Sequence, residues 1–228
     1  MYFERASWLP ATVAWSRTVS PEATTIRVLP DGCLDLIWDD GELVVAGPDT
    51  TAQLATGAPG SRLVGLRFGC GTGPRVLGLP ASELVDQRVR LSRLWPEAEV
   101  RRLTERLATA GDPAALLEAI AAGRLRRHGP PDPTGGAIAA RLRAGDSVAA
   151  TADAVSLSPR HLHRRCQALF GYGPKTLARV LRLERALTLA RAGTPFATVA
   201  ATAGYADQAH LSREVRSLAG VPLRVLTS

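Results

Sequence analysis

Over the first third of the chain, short apolar, β-rich runs at 25–29, 34–38, 42–46 and 62–68 sit between glycines and prolines. Such runs read as strands. Asp39-Asp40-Gly41 lies between the second and third runs and supplies hairpin turn residues. Several short strands at close spacing predict a small barrel or sandwich. Between residues 82 and 127 the pattern turns helical, with Leu103, Leu107, Leu116, Leu117 and Ile120 as apolar positions. Gly111-Asp112-Pro113 divides that stretch into two helices. Beyond residue 136 the pattern is helical with no convincing strand. The expected fold class is α+β: a small N-terminal β-barrel or sandwich with following helices, then an all-α C-terminal domain. His128 to Gly136 contains three prolines and three glycines, a breaker cluster that reads as a linker. The expected domains are 1–127, a linker at 128–136, and 137–228.

The helical half repeats itself. Ala152 and Ala200 are 48 residues apart, and Leu162 and Leu211, Arg164 and Arg213, Cys166 and Val215, and Gly171 and Gly220 are each 49 apart. This predicts two copies of one supersecondary unit, each a helix, a tight turn and a second helix. In the first, Ser156-Leu157 forms the turn, Ser158 caps the second helix and Pro159 occupies its first position. Leu162, Cys166 and Leu169 share one face and should be buried, while Arg160, His163, Arg164 and Gln167 point the other way. In the second, Gly204-Tyr205 forms the turn and Asp207 caps the second helix. Leu211, Val215 and Leu218 face inward, Ser212, Arg213 and Arg216 outward, and Gln208, Ala209 and His210 occupy the exposed N-terminal end. A long helix from 174 to 192 joins the units as a rigid spacer. Two helix-turn-helix units on such a spacer can enter successive major grooves on one face of a duplex.

Charge sharpens this picture. The chain carries a net +7, and residues 131–228 hold 13 basic residues against 6 acids, while residues 1–130 balance. A basic domain beside a neutral one is the footprint of a polyanion binder. All but one of the 28 basic residues are arginine, the side chain suited to bidentate phosphate and guanine contacts. Arg179 and Arg191, on the spacer helix, are expected to meet phosphate if they meet DNA at all.

The helical half resembles the AraC/XylS-type transcriptional regulators. Ser158-Pro159-Arg160-His161-Leu162-His163-Arg164-Arg165 is similar to their first recognition helix, and the run from Gly204 to Glu214 to their second. Leu181 to Ala186 resembles their linker helix. The resemblance covers about residues 134–228. It implies a regulator that binds double-stranded DNA and works with RNA polymerase, base contacts falling on Arg160, His163 and Arg164, then on Gln208, Ala209, His210 and Arg213. His161 joins them, since a histidine on a recognition helix meets DNA more often than metal. Ser156 departs from the turn glycine of the family, and Cys166 and Val215 replace bulky aromatics in its core. Residues 29–38 and 65–68 look like the short β-rich sensor domains that precede such halves.

Other chemistry finds little support. Residues 1–127 contain no histidine, so a metal-dependent cupin lacks ligands, and no cofactor is implied. No catalytic residue set emerges. Three cysteines, Cys33, Cys70 and Cys166, are too few and too scattered for a disulfide framework. Cys33, Cys70 and Trp38 are the candidates for an effector or thiol site. The alternative function is therefore a ligand- or thiol-sensing module in which DNA binding is secondary. No apolar run approaches the roughly 20 residues of a membrane span, and the N-terminus lacks an export signal, so a cytosolic protein is expected. A homodimer is expected through the leucine-striped helices between about residues 97 and 122.

Overall fold

The computed structural model describes residues 1–22, 24–69 and 71–227. Among the described residues the N-terminal half contains eight strands: β1 (Tyr2–Ala6), β2 (Thr12–Thr18), β3 (Thr25–Val28), β4 (Leu34–Asp39), β5 (Glu42–Ala46), β6 (Gln53–Thr56), β7 (Arg62–Phe68) and β8 (Arg88–Arg90). Six of them form one antiparallel sheet in the order β1-β2-β7-β4-β5-β8, while β3 and β6 pair as a separate ribbon. The alternation of the sequence decides which face goes where. Leu34, Leu36 and Trp38 of β4 and Val64, Leu66 and Phe68 of β7 are buried on one face. That face is covered by α1 (Gly73–Leu77), α2 (Glu97–Ala108) and α3 (Pro113–His128), which contribute Val76, Leu103, Leu107 and Leu117 to the same core. The other face lies under the β3–β6 ribbon.

The α+β class is as the sequence predicts, with two local differences. Arg88–Arg90 lies inside the stretch read as helical, yet it forms β8 because Arg88, Val89 and Arg90 pair with Ala46, Val45 and Val44 of β5. The breaker cluster is helical at both ends: α3 runs to His128, and α4 (Pro133–Ala144) starts at a proline with Asp132 as cap, its carboxylate accepting from Thr134 N at 2.9 Å. Proline at the first helical position initiates a helix, since its missing N–H would have no partner there anyway. Residues 129–132 form the connection.

The remaining helices are α5 (Val148–Ala154), α6 (Pro159–Phe170), α7 (Pro174–Arg191), α8 (Phe196–Ala203), α9 (Gln208–Ala219) and α10 (Leu223–Thr227). They build two small cores, one around Leu162, Cys166 and Leu177, the other around Val199, Leu211 and Val215, with α7 contributing to both. No helix among the described residues is long and apolar enough to cross a membrane.

Candidate nucleic-acid interface

The duplication holds at the level of single hydrogen bonds. Leu157 N donates to Ala152 O at 2.9 Å in the first turn, and Tyr205 N donates to Ala200 O at 2.9 Å in the second. Ser158 caps α6 by accepting from His161 N at 3.3 Å, and Asp207 caps α9 by accepting from His210 N at 2.6 Å. Both turns need a left-handed residue. Gly204 supplies it at φ +83° and Ser156 at φ +54°, where a Cβ is strained.

Packing then fixes the outward faces. Leu162, Cys166, Leu169, Leu211, Val215 and Leu218 are buried as expected. Burial alone pushes the Cys166 thiol up to about 12, which leaves it an inert core residue. Arg160, His161, His163, Arg164 and Gln167 on α6 are exposed, as are Gln208, Ala209, Ser212, Arg213 and Arg216 on α9. His210 is half-buried: its Nδ1 accepts from Ala206 N at 3.3 Å and its ring meets Tyr205 edge-on at 5.4 Å. With Nδ1 an acceptor, the neutral ring carries its proton on Nε2 and has one donor to offer. His163 lies beside the α7 start, where a Cβ on Gly173 would come 2.6 Å from its ring.

Two arginines have other occupations. Arg179 donates two hydrogen bonds to Glu214 and so ties α7 to α9. Arg165, on α6, forms an ion pair with Asp132 at 2.6 Å and pins the connection to the first recognition helix. Sequence spacing carries no signal for either pair.

The trailing ends of both recognition helices rest on the N-terminal half. Gly171 and Gly220 follow α6 and α9 in the left-handed conformation, at φ +84° and +72°. A Cβ on Gly171 would lie 2.6 Å from Pro48 Cγ and 2.8 Å from Val85 Cγ2, and one on Gly220 would lie 3.3 Å from Arg27 Nη1. Arg27, on β3, donates to Ala219 O at 2.9 Å, placing a cation at the negative end of α9. Ala52 N, just before β6, donates to Leu218 O at 2.7 Å, and Leu29 packs against the second helical core.

Under the same ribbon lies a partly enclosed cavity of about 150 Å³. Ile26, Val28 and Ala55 line it from the ribbon, and Trp15, Asp35, Ile37 and Arg67 from the sheet. Cys33 is also in its wall. Trp38 is not: it follows the opposite parity on β4 and is buried against the helices at 7% exposure. Trp15 stands in the cavity instead. Cys70 lies outside the described residues. The leucines of α2 and α3 that were expected to pair two copies, Leu103, Leu107 and Leu117, are buried in the N-terminal core.

Among protein families, residues 151–227 match a helix-turn-helix domain. The C-terminal region is therefore a helix-turn-helix domain. Residues 9–90 match a domain of unknown function, DUF6597. No curated protein sequence matches significantly. An apo variant of ToxT from Vibrio cholerae is similar at a TM-score of 0.50 and 11% identity, with 95% of this chain and 97% of that one covered. The C-terminal domain of AraT, a response regulator from Geobacillus stearothermophilus, aligns at a TM-score of 0.38 and 20% identity over 42% of this chain and 84% of that one. The ToxT likeness spans both halves and shows a shared fold, a β-rich N-terminal region followed by a helical one. The chain therefore carries a helix-turn-helix domain in its C-terminal part, behind a β-rich N-terminal region.

Proposed function

We propose that the protein reads a specific duplex sequence with α6 and α9, and that its N-terminal half senses a small molecule and passes the signal to those helices. The observation that carries this reading is the double equivalence of the two units. Arg164 and Arg213, 49 residues apart, are both exposed on their recognition helices. Gly171 and Gly220, again 49 apart, both abut the N-terminal half. One body therefore touches the trailing ends of both readers, while their capped N-termini carry the base-contacting candidates Arg160, His161, Gln208 and Ala209.

Each arginine can contact guanine O6 and N7 in a bidentate manner, worth roughly 1–3 kcal/mol of discrimination. Arg164→Ala and Arg213→Ala should each weaken operator binding about 5- to 150-fold, in base-pair blocks about one helical turn apart. Binding is measured on a duplex selected from a random pool and on its scrambled counterpart. Equal losses on both duplexes would show that these helices are not the readers. Action on promoters through RNA polymerase, in the cytoplasm, follows from this role. A homodimer through the α2 and α3 helices remains part of the proposal; Leu103, Leu107 and Leu117 are buried in the core, which leaves the partly buried Leu116 and Ile120 to meet a second copy.

A further inference from the structure

The helical half spends most of its cations on itself. Residues 131–228 hold 13 basic residues. Among the described residues, seven of them meet a carboxylate, a backbone carbonyl or an aromatic ring of the protein, Arg141 with Asp146 and Arg165 with Asp132 among them. The side chains of the other six, Arg160, Arg164, Lys175, Arg213, Arg216 and Arg224, are exposed and have no acceptor among the described residues. Four of the six lie on α6 and α9, the helices proposed as the readers. Lys175 and Arg224 lie elsewhere.

Their positions are equivalent. They are 49 residues apart, the interval that separates Arg164 from Arg213, Gly171 from Gly220 and Leu177 from Leu226. Each is the second residue of the helix that follows a recognition helix, Lys175 on α7 and Arg224 on α10. In the second unit Arg224 shares one open concavity with Ser212, Arg213 and Arg216 of α9, formed against Pro222 and Leu223. Three arginines and no carboxylate line it, and like charges gathered without a counter-charge attract an anion. In the first unit His163 is the counterpart of Ser212. A Cβ on Gly173, two residues before Lys175, would come 2.6 Å from the His163 ring, so the start of α7 lies against the outward face of α6.

This placement identifies the anion. A recognition helix in the major groove is flanked by the sugar–phosphate backbone. A cation beside the outward face, but on the next helix, meets the wall of the groove and not the base edges. The spacing agrees. Lys175 stands at one end of α7, and Arg191 at the other end donates to Leu226 O of α10, the helix of Arg224. The 18 residues of α7 span about 27 Å, the scale of the roughly 34–36 Å between successive major grooves.

We propose that Lys175 and Arg224 are a matched pair of duplex anchors, each holding one backbone phosphate beside the recognition helix it follows, with Arg216 completing the Arg224 site. The proposal rests on the reading of α6 and α9 as duplex readers and adds the contacts that fix their register in the grooves. Such contacts position a protein on the duplex without reading its sequence.

The test uses the full chain, on the duplex selected from a random pool and on its scrambled counterpart, with affinity followed from about 50 to 200 mM salt. Lys175→Ala and Arg224→Ala should each weaken both duplexes equally and flatten the salt slope by about one unit. The double variant should flatten it by about two. Lys175→Arg and Arg224→Lys, which keep the charge, should retain the natural slope. Ethylation of single phosphates in the selected duplex should identify two positions about one helical turn apart, one of which ceases to interfere in each alanine variant. Circular dichroism checks that the variants are folded. An unchanged slope in either folded alanine variant, or a loss confined to the selected duplex, overturns the proposal. Arg164→Ala and Arg213→Ala in the same assay test the readers separately. Lost discrimination in those two, with natural slopes in the Lys175 and Arg224 variants, sinks the anchors and spares the readers; flattened slopes with discrimination intact do the reverse.

Discussion

The Arg179 guanidinium holds the carboxylate of Glu214 with two hydrogen bonds, Nε to Oε2 at 2.8 Å and Nη2 to Oε1 at 3.2 Å. One residue lies on the spacer helix, the other on the second recognition helix beside Arg213. The first cause of the lowered Glu214 pKa is this hydrogen bond, so its contribution is present above the unfolded pKa and fades as pH falls through the folded one. With Arg179 41% exposed, solvent screening limits the pair to about 0.5–1 kcal/mol.

Arg179→Ala should therefore lower operator affinity about 2- to 5-fold, with the loss confined to the second half-site, because the pair orients α9 and costs about 0.5–1 kcal/mol to remove. Footprinting localises the effect, and a salt titration identifies its cause. A slope that flattens by about one unit would mean a phosphate contact instead.

Ser156 occupies in the first unit the left-handed position that Gly204 occupies in the second. A side chain there costs roughly 1–2 kcal/mol, partly offset by the greater freedom of an unfolded glycine. Ser156→Gly should stabilise the protein by about 0.5–1 kcal/mol, and Gly204→Ser should destabilise it by at least as much. Urea denaturation of both variants decides this. A destabilised Ser156→Gly would mean that the hydroxyl, not the backbone, governs the turn.

The repeat could be read from sequence because its constraints are local. A cap, a turn residue and three buried positions recur at nearly constant spacing whatever surrounds them. The β4–β5 hairpin was legible for the same reason, since Leu34, Leu36 and Trp38 alternate with polar or outward residues. β1 was not legible, because all five of its residues are exposed and burial leaves no period to detect. The parity of β4 showed two faces but not which one the helices cover, so Trp38 was expected at a ligand site, whereas it is Trp15 that lines the cavity. Gly171 and Gly220 stand out in the sequence only by their 49-residue spacing, and only tertiary structure shows that they seat the recognition helices on Pro48, Val85 and Arg27. Ion pairs such as Arg179–Glu214, 35 residues apart, leave no trace in periodicity.

Arg27 should link the two halves. Its removal frees Ala219 O and withdraws a cation from the α9 C-terminus, a charge–dipole contact worth about 0.3–1 kcal/mol. Arg27→Ala should reduce protection of the second half-site about 2- to 5-fold and leave the first unchanged, while Arg27→Lys, which keeps the charge, should retain most of it. Hydrogen exchange should quicken in β3, β6 and the last turn of α9 together. Quickening confined to β3 would show that the ribbon and the helix are not coupled.

The last prediction concerns pH. Asp35 titrates at about 6 in the fold, raised first by burial and further by Asp31, against 3.8 when unperturbed. The folded state thus holds a proton that the unfolded chain has already lost between about pH 4 and 6, and stability falls as pH rises through that window. A shift of this size corresponds to roughly 3 kcal/mol carried by the ionised group at neutral pH. Asp35→Asn cannot ionise, and its side-chain carbonyl can still accept from Trp15 Nε1. The stability of the variant relative to the natural protein should therefore rise by about 2–3 kcal/mol between pH 4 and pH 7. Measuring that difference, rather than either curve alone, cancels carboxylates such as Glu118 and Glu214, whose lowered pKa values act in the opposite sense. A relative stability that does not change with pH would mean that Arg67 already compensates Asp35 in full.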